Sequence, residues 1–170
     1  KNFNITEAIL EEKIEFSCEI SFMSWRDKFG NVGNFPATLN EHKNGILCKS
    51  KSPANIPSKL IREGNYYANK IANKLKIFGI LALETFIIED RLILFNEIAP
   101  RPHNSFHWTI EGCNTSQFEQ LVRIICEIAP RNIITNGDYF MQNILGSEIN
   151  NIQNYLSKKN YSVHLYGKKS

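Results

Sequence analysis

Two glutamates stand alone in two apolar segments, and their placement is the first sign of chemistry in this sequence. Glu84 lies within Ile80–Ile88, and Glu97 lies within Leu92–Ile98. Both segments predict strands that are covered on both faces, where a carboxylate is costly to bury. The polar sequence Glu89-Asp90-Arg91 between them predicts a tight turn. We therefore expect an antiparallel hairpin that brings two acidic side chains to one buried place.

The register of this hairpin decides which oxygen atoms meet. With a two-residue turn, Glu84 lies opposite Glu97, and their Cβ atoms are about 5 Å apart. A three-residue turn shifts the pairing by one position and sets Glu84 opposite Asn96. In either register, oxygen ligands cluster as a hard divalent cation such as Mg²⁺ requires. The competing interpretation is that one glutamate pairs with a basic side chain or points to solvent at a strand end.

The loop after the second strand is rich in hydrogen-bond donors. These donors are Arg101, His103, Asn104 and Ser105. A guanidinium offers a fixed fork of donors to phosphate or carboxylate, so the loop predicts anion binding. The alternative is that Pro100 and Pro102 only stiffen a connection, and for Trp108 we favour a place in the core. A zinc site at His103 and His107 is disfavoured, because no third soft ligand lies nearby.

The elements that must position these residues predict an α+β fold, an antiparallel sheet with packed helices. Apolar alternation predicts strands at residues 8–14, 16–25, 32–39, 45–48, 80–88, 92–98, 139–145 and 161–166. Helical spacing predicts helices at residues 58–77, 116–128 and 149–156, the second opening with a capping box at Ser116 and Glu119. We expect one unit over residues 1–130 and the start of a small β-rich C-terminal domain over 131–170.

Composition excludes several classes of protein. Of the 170 residues, 42% are hydrophobic and 22% are charged, which is typical of a folded globular chain. The net charge of +3 comes from dispersed residues, so we expect no nucleic-acid partner. The apolar runs are short and no charged leader opens the sequence, so we expect no membrane span, no secretion signal and a cytoplasmic location. The scattered cysteines predict reduced thiols.

A long motif resembles a known family. Residues 96–109, followed by 116–119, are similar to the signature of the 5-(carboxyamino)imidazole ribonucleotide synthases of the ATP-grasp superfamily. Residues 10–12, 16–19, 40–47 and 166–168 agree in the same order. The resemblance covers nearly the whole chain but only about the last half of a typical member. It implies the C-terminal lobe of an ATP-grasp domain, without the N-terminal substrate domain and the glycine-containing flap.

The resemblance also implies roles for individual residues. It makes Glu84 and Glu97 the magnesium ligands, as the hairpin argument does. For the nucleotide, it implies Glu11 and Glu12 at the adenine hinge and Glu19 at the ribose. For catalysis and substrate binding, it implies Arg101, Asn96, His103, Asn104, Ser105 and Lys168. The competing interpretations are exposed strand carboxylates for Glu11 and Glu19 and a solvated tail for Lys168.

The implied reaction uses ATP and Mg²⁺ to carboxylate aminoimidazole ribonucleotide. Bicarbonate attacks the γ-phosphate to give carboxyphosphate, whose carboxyl group passes to the substrate amine. Family members are commonly dimers, so a homodimer is also implied. The alternative is a catalytically incomplete fragment that binds Mg-nucleotide or is purely structural, and the loop at 103–108 disfavours a biotin-dependent carboxylase. Phe106 replaces the glycine that the family usually has, so either the loop path or the pocket volume differs there.

Overall fold

The computed structural model describes residues 9–167 as an antiparallel seven-stranded sheet with helices on both faces. The strands are β1 (Cys18–Arg26), β2 (Val32–Asn34), β3 (Thr38–Lys43), β4 (Ile46–Ser52), β5 (Gly79–Ile88), β6 (Leu92–Ala99) and β7 (Tyr139–Gln142). The helices are α1 (Ser58–Lys74), α2 (Thr109–Gly112), α3 (Gln117–Ile125) and α4 (Gln153–Leu156). Short 3₁₀ turns occupy Asn104–Phe106 and Gly146–Asn151. The predicted α+β class is confirmed.

The strands follow the order β6-β5-β1-β3-β4-β7, and β2 pairs with β1. The single strand predicted at 32–39 is therefore wrong, because two strands share the same edge of β1. Between them, Phe35 is buried, and Pro36 cannot donate a hydrogen bond to the ladder. Among residues 9–167, no helix has the length and apolar character needed to cross a lipid bilayer.

The sheet has one apolar core on each face, because successive side chains of a strand point to opposite sides. The core under α1 includes Ile20, Phe22, Leu60, Ala68 and Leu83. The core on the opposite face includes Met23, Trp25, Ile80, Phe106 and Ile124. The second core belongs to the face that also carries the glutamate of β5.

Local sequence explains how the two main helices pack. In α1 the small residues Gly64 and Ala68 are buried, and a Cβ on Gly64 would lie 2.1 Å from the Phe22 ring. This glycine lets the helix approach the sheet closely. In α3 the Ser116 hydroxyl accepts a hydrogen bond from the Glu119 amide at 3.1 Å, which confirms the predicted N-cap.

Several predicted boundaries differ from the structure. Helix α1 ends at Lys74 instead of residue 77, and α3 ends at Ile125 instead of residue 128. Residues 9–14 and 161–166 are not strands, and Leu10 and Leu165 are 99% and 65% exposed. Alternation alone does not make a strand when no neighbouring strand takes up its backbone hydrogen bonds.

Strand β7 bears on the predicted division of the chain. It follows the boundary placed between residues 130 and 131, yet it pairs with β4 of the main sheet. Strand β7 has four residues and is therefore also shorter than the strand predicted at 139–145. The division into two units stays a prediction.

Candidate functional site

The hairpin of β5 and β6 sets Glu84 directly opposite Glu97. Close to the turn, Ile88 pairs with Leu92, so the turn has three residues. A β-bulge then shifts the register between Glu84 and Thr85, and Asn96 is the extra residue. Each of the two registers predicted for this hairpin is therefore correct in one respect. The turn has three residues, but the bulge restores the pairing of the two carboxylates.

A third side chain joins the two glutamates. One ligand atom from each of Glu84, Glu97 and His103 lies within 4.8 Å of the others. Glu97 itself is exposed, because β6 is an edge strand of the sheet, so the expectation that both strands are covered is right for β5 and wrong for β6. The His103 Nε2 atom is 3.5 Å from Glu84 Oε1, and these side chains are only 11% and 13% exposed. Burial, and then the charge of Glu97, raises the pKa of Glu84 above its usual value. A divalent cation would remove that electrostatic cost, and the three groups are suitable ligands for one.

Helix α3 holds the loop that carries His103. The Gln117 side chain donates to the His103 carbonyl at 2.9 Å and accepts from the His103 amide at 2.9 Å. The His103 Nδ1 atom lies 2.8 Å from Ser105 Oγ. Burial, and then the nearby Arg101, lowers the pKa of His103, so its ring is neutral at pH 7. Sequence reasoning missed Gln117, although its place beside the capping serine was a usable signal.

The cluster lies in a cleft of about 570 Å³. The polar residues that line it are Glu19, Asn40, His42, Glu84, Thr85, Asn96, Glu97, His103 and Asn104. The structure thus brings Glu19, Asn96 and Asn104 to the same cleft as the glutamate pair. The Glu19 carboxylate also forms a hydrogen bond with the His42 ring.

Two cleft residues on β3 have no role in the sequence argument beyond the family resemblance. Asn40 and His42 follow Thr38 at alternate positions, so all three point to one face. The Glu19 side chain on β1 points to the same face of the sheet. The signal was weak, because all residues of β3 except Leu39 are polar, and Asn40 and His42 become informative only when the neighbouring strand is known.

Other predicted site residues lie elsewhere. Glu11 and Glu12 are exposed in a segment without regular structure. Arg101 is exposed, and its Nη1 atom donates to the Pro102 carbonyl at 3.0 Å. Ser105 is fully buried and supports His103 from below the cleft surface. Lys168 lies outside the described residues. The roles of these residues stay predictions.

The replacement of glycine by Phe106 has a structural explanation. The Phe106 ring is fully buried and packs edge-on against Phe35, with 6.3 Å between ring centroids. Its backbone does not have a positive φ, so the loop path does not depend on glycine at this position. The aromatic ring fills the core beneath the loop and leaves the cleft open.

Comparison with known proteins identifies the architecture. The model of the ATP-grasp domain family matches residues 2–118. The chain belongs to the ATP-grasp family. The N5-carboxyaminoimidazole ribonucleotide synthase of Brucella melitensis is 41% identical over 166 residues, which are 98% of this chain and 46% of that protein. The chain therefore spans about half the length of the curated relatives it matches.

Two solved structures of ATP-grasp synthases share the fold. The Staphylococcus aureus N5-carboxyaminoimidazole synthetase complexed with ADP has a TM-score of 0.86 and 32% identity, covering 94% of this chain and 44% of that one. The Aspergillus clavatus synthase, in complex with ADP and 5-aminoimidazole ribonucleotide, has a TM-score of 0.81 and 29% identity, covering 89% and 43%. The predicted family resemblance is confirmed.

Proposed function

We propose that this chain is the part of an N5-carboxyaminoimidazole ribonucleotide synthase that holds Mg²⁺ and the phosphate end of ATP. The observation that carries the proposal is the pairing of Glu84 with Glu97, beside His103, in a cleft of about 570 Å³. Two facing carboxylates supply the hard oxygen ligands that Mg²⁺ prefers. No Lys or Arg side chain among residues 9–167 forms an ion pair with either glutamate.

The nucleotide would extend from this cluster along the cleft. Glu19, held by His42, would accept hydrogen bonds from the ribose hydroxyls. Glu11 and Glu12 would border the adenine. ADP is bound in the Staphylococcus aureus and Aspergillus clavatus structures. Within residues 9–167, the exposed guanidinium of Arg101 donates only to the Pro102 carbonyl, so its other donors are available to a phosphate oxygen.

The proposed reaction is the ATP-dependent carboxylation of 5-aminoimidazole ribonucleotide by bicarbonate. When bound, Mg²⁺ would offset negative charge on the phosphate oxygens. The chain's own residues would orient the reactants: Asn96 and Asn104 offer amides at the cleft, and the neutral His103 can hydrogen-bond the substrate amine. Lys168 would lie near the substrate phosphate. A cytoplasmic homodimer is the corresponding assembly.

Calorimetric titration of the chain with ADP in Mg²⁺ buffer tests the site. We expect the double variant Glu84→Gln, Glu97→Gln to bind at least about 10-fold more weakly, because hydrogen bonds and ligand contacts of charged groups contribute about 1.5–3 kcal/mol. Glu41→Gln is the matched control, since Glu41 is an exposed glutamate of β3. Equal affinity of the wild type and the double variant would remove the basis of the proposal.

A second candidate function is Mg-nucleotide binding without turnover. The observation in its favour is that residues 9–167 by themselves supply both the ligand cluster and the cleft, which is enough to bind a metal ion and phosphate groups. Release of phosphate from ATP, dependent on both bicarbonate and 5-aminoimidazole ribonucleotide, separates the two candidates. Nucleotide binding that is lost in the double variant, without such release, supports the second candidate.

A further inference from the structure

A row of buried polar side chains crosses the sheet and ends at Glu84. Ser50 on β4, Asn40 on β3 and Ser21 on β1 are only 1%, 7% and 0% exposed. Asn40 pairs with Ser50 and Ser21 pairs with Glu84, while Asn40 lies diagonally across from Ser21, because its own partner on β1 is Glu19. Burying polar groups in a sheet costs free energy unless they are hydrogen-bonded.

The hydrogen bonds of this row run in one direction. The Ser50 hydroxyl donates to Asn40 Oδ1 at 2.9 Å, and Asn40 Nδ2 donates to Ser21 Oγ at 2.6 Å. The Ser21 hydroxyl donates to Glu84 Oε1 at 3.3 Å. A serine hydroxyl has a single proton. Because the Ser21 oxygen already accepts from the amide, its proton is directed to the carboxylate.

We propose that Ser21, oriented by Asn40 and Ser50, is a positioning residue that holds the Glu84 carboxylate as a ligand for the divalent cation. The inference rests on the metal site of the proposed function. Ser21 engages Oε1, and Glu84 Oε2 has no hydrogen-bond donor among residues 9–167. One oxygen is thereby oriented while the other stays available. Hydrogen-bond partners of metal ligands typically contribute about 10–100-fold to metal affinity.

Ser24 provides a matched control on the same strand. It is also fully buried, and its hydroxyl also donates to a side chain, Asn69 Oδ1, at 2.6 Å. Its side chain points to the α1 face, away from the cleft, because it is an odd number of positions from Ser21. Ser21→Ala and Ser24→Ala therefore remove similar buried hydrogen bonds, but only the first change affects Glu84.

Titration of the whole chain with Mn²⁺, followed by the electron paramagnetic resonance of the free ion, tests the inference. We expect Ser21→Ala to weaken Mn²⁺ binding about 10-fold and Ser50→Ala about 3-fold, because the second change acts through Asn40. Ser21→Thr, which keeps the hydroxyl, should restore most of the affinity. Ser24→Ala should leave the affinity unchanged, while both alanine variants at positions 21 and 24 lower the Tm similarly.

The outcomes separate the inference from the proposed function. If wild type binds Mn²⁺ no more tightly than the Glu84→Gln, Glu97→Gln double variant, the metal site is wrong and the role of Ser21 falls with it. If Mn²⁺ binding depends on the glutamates but Ser21→Ala binds Mn²⁺ as tightly as Ser24→Ala does, only the role of Ser21 is overturned. Should Ser21→Ala fail to fold, the comparison of Ser50→Ala with wild type decides the question in the same way.

Discussion

The two faces of strands β1 and β5 differ in polarity, although alternate residues of the same two strands form both of them. Toward α1, Ile20, Phe22 and Leu83 form a fully buried apolar core. Toward the cleft, Ser21 and Glu84 are polar at the same level of the sheet. The first face stabilises the fold by burying apolar area. The second carries a buried carboxylate that costs stability and prepares a ligand site.

The candidate metal site therefore occupies only one end of the cleft face of the sheet. Further along the cleft side of β1, Met23 and Trp25 return to apolar packing. The polar end is thus supported from behind by the α1 core and from the side by the second core. Substitutions on the α1 face should change stability and leave ligand binding alone, whereas substitutions at the cleft should change ligand binding.

The largest expected effect is on the α1 face. Phe22→Ala should lower the free energy of unfolding by about 4 kcal/mol, because it removes a fully buried ring and leaves a cavity. Urea denaturation measures this loss. Phe95→Ala is the control, since Phe95 is 47% exposed and should cost less than half as much. Loss of Mn²⁺ affinity in folded Phe22→Ala protein would contradict the separation of the two faces.

Gly64→Ala should destabilise the protein by about 2 kcal/mol, because the new methyl group would overlap the Phe22 ring. The sign is informative, since alanine is a better helix former than glycine by about 1 kcal/mol. Urea denaturation of the Phe22→Leu background completes a double-mutant cycle. The cost of Gly64→Ala should shrink there. An unchanged cost would show that the helix backbone, and not this contact, is responsible.

On the cleft face, Glu84→Gln should raise the Tm by about 2 °C at pH 7. The folded pKa of Glu84 is raised by burial, so its contribution to stability is full below the unfolded pKa and is lost as pH rises through the folded pKa. The increase in Tm of Glu84→Gln over the wild type should therefore vanish at pH 4. Thermal unfolding at both pH values tests this, with Glu41→Gln as the control. A lower Tm of Glu84→Gln at pH 7 would reverse the interpretation of this face.

The smallest expected effect concerns His103. Burial lowers its folded pKa, so the unfolded state takes up a proton at higher pH than the folded state. Stability should therefore fall as pH decreases from 7 to 5, and it should fall less steeply in His103→Gln. Thermal unfolding at pH 7, 6 and 5 measures the two slopes. Parallel curves would show that the imidazole has no burial cost at the cleft.

Much of the framework followed from local sequence. Periodicity placed α1 at Ser58, the capping box placed α3 after Ser116, and two apolar runs predicted the hairpin of β5 and β6. These features depend on neighbours along the chain, such as caps, turns and side-chain alternation. Periodicity failed at residues 161–166, because a strand also needs a partner strand, and that partner can lie anywhere in the sequence.

The candidate site shows the same division. The sequence by itself determined that Glu84 and Glu97 lie on adjacent strands, and a long motif predicted the ATP-grasp family. Only the tertiary structure decided that a bulge at Asn96 sets the glutamates face to face, that Gln117 clamps His103, and that Ser21 reaches Glu84. The physical reason is that hydrogen bonds between side chains distant in sequence depend on register and sheet order, which no local pattern specifies.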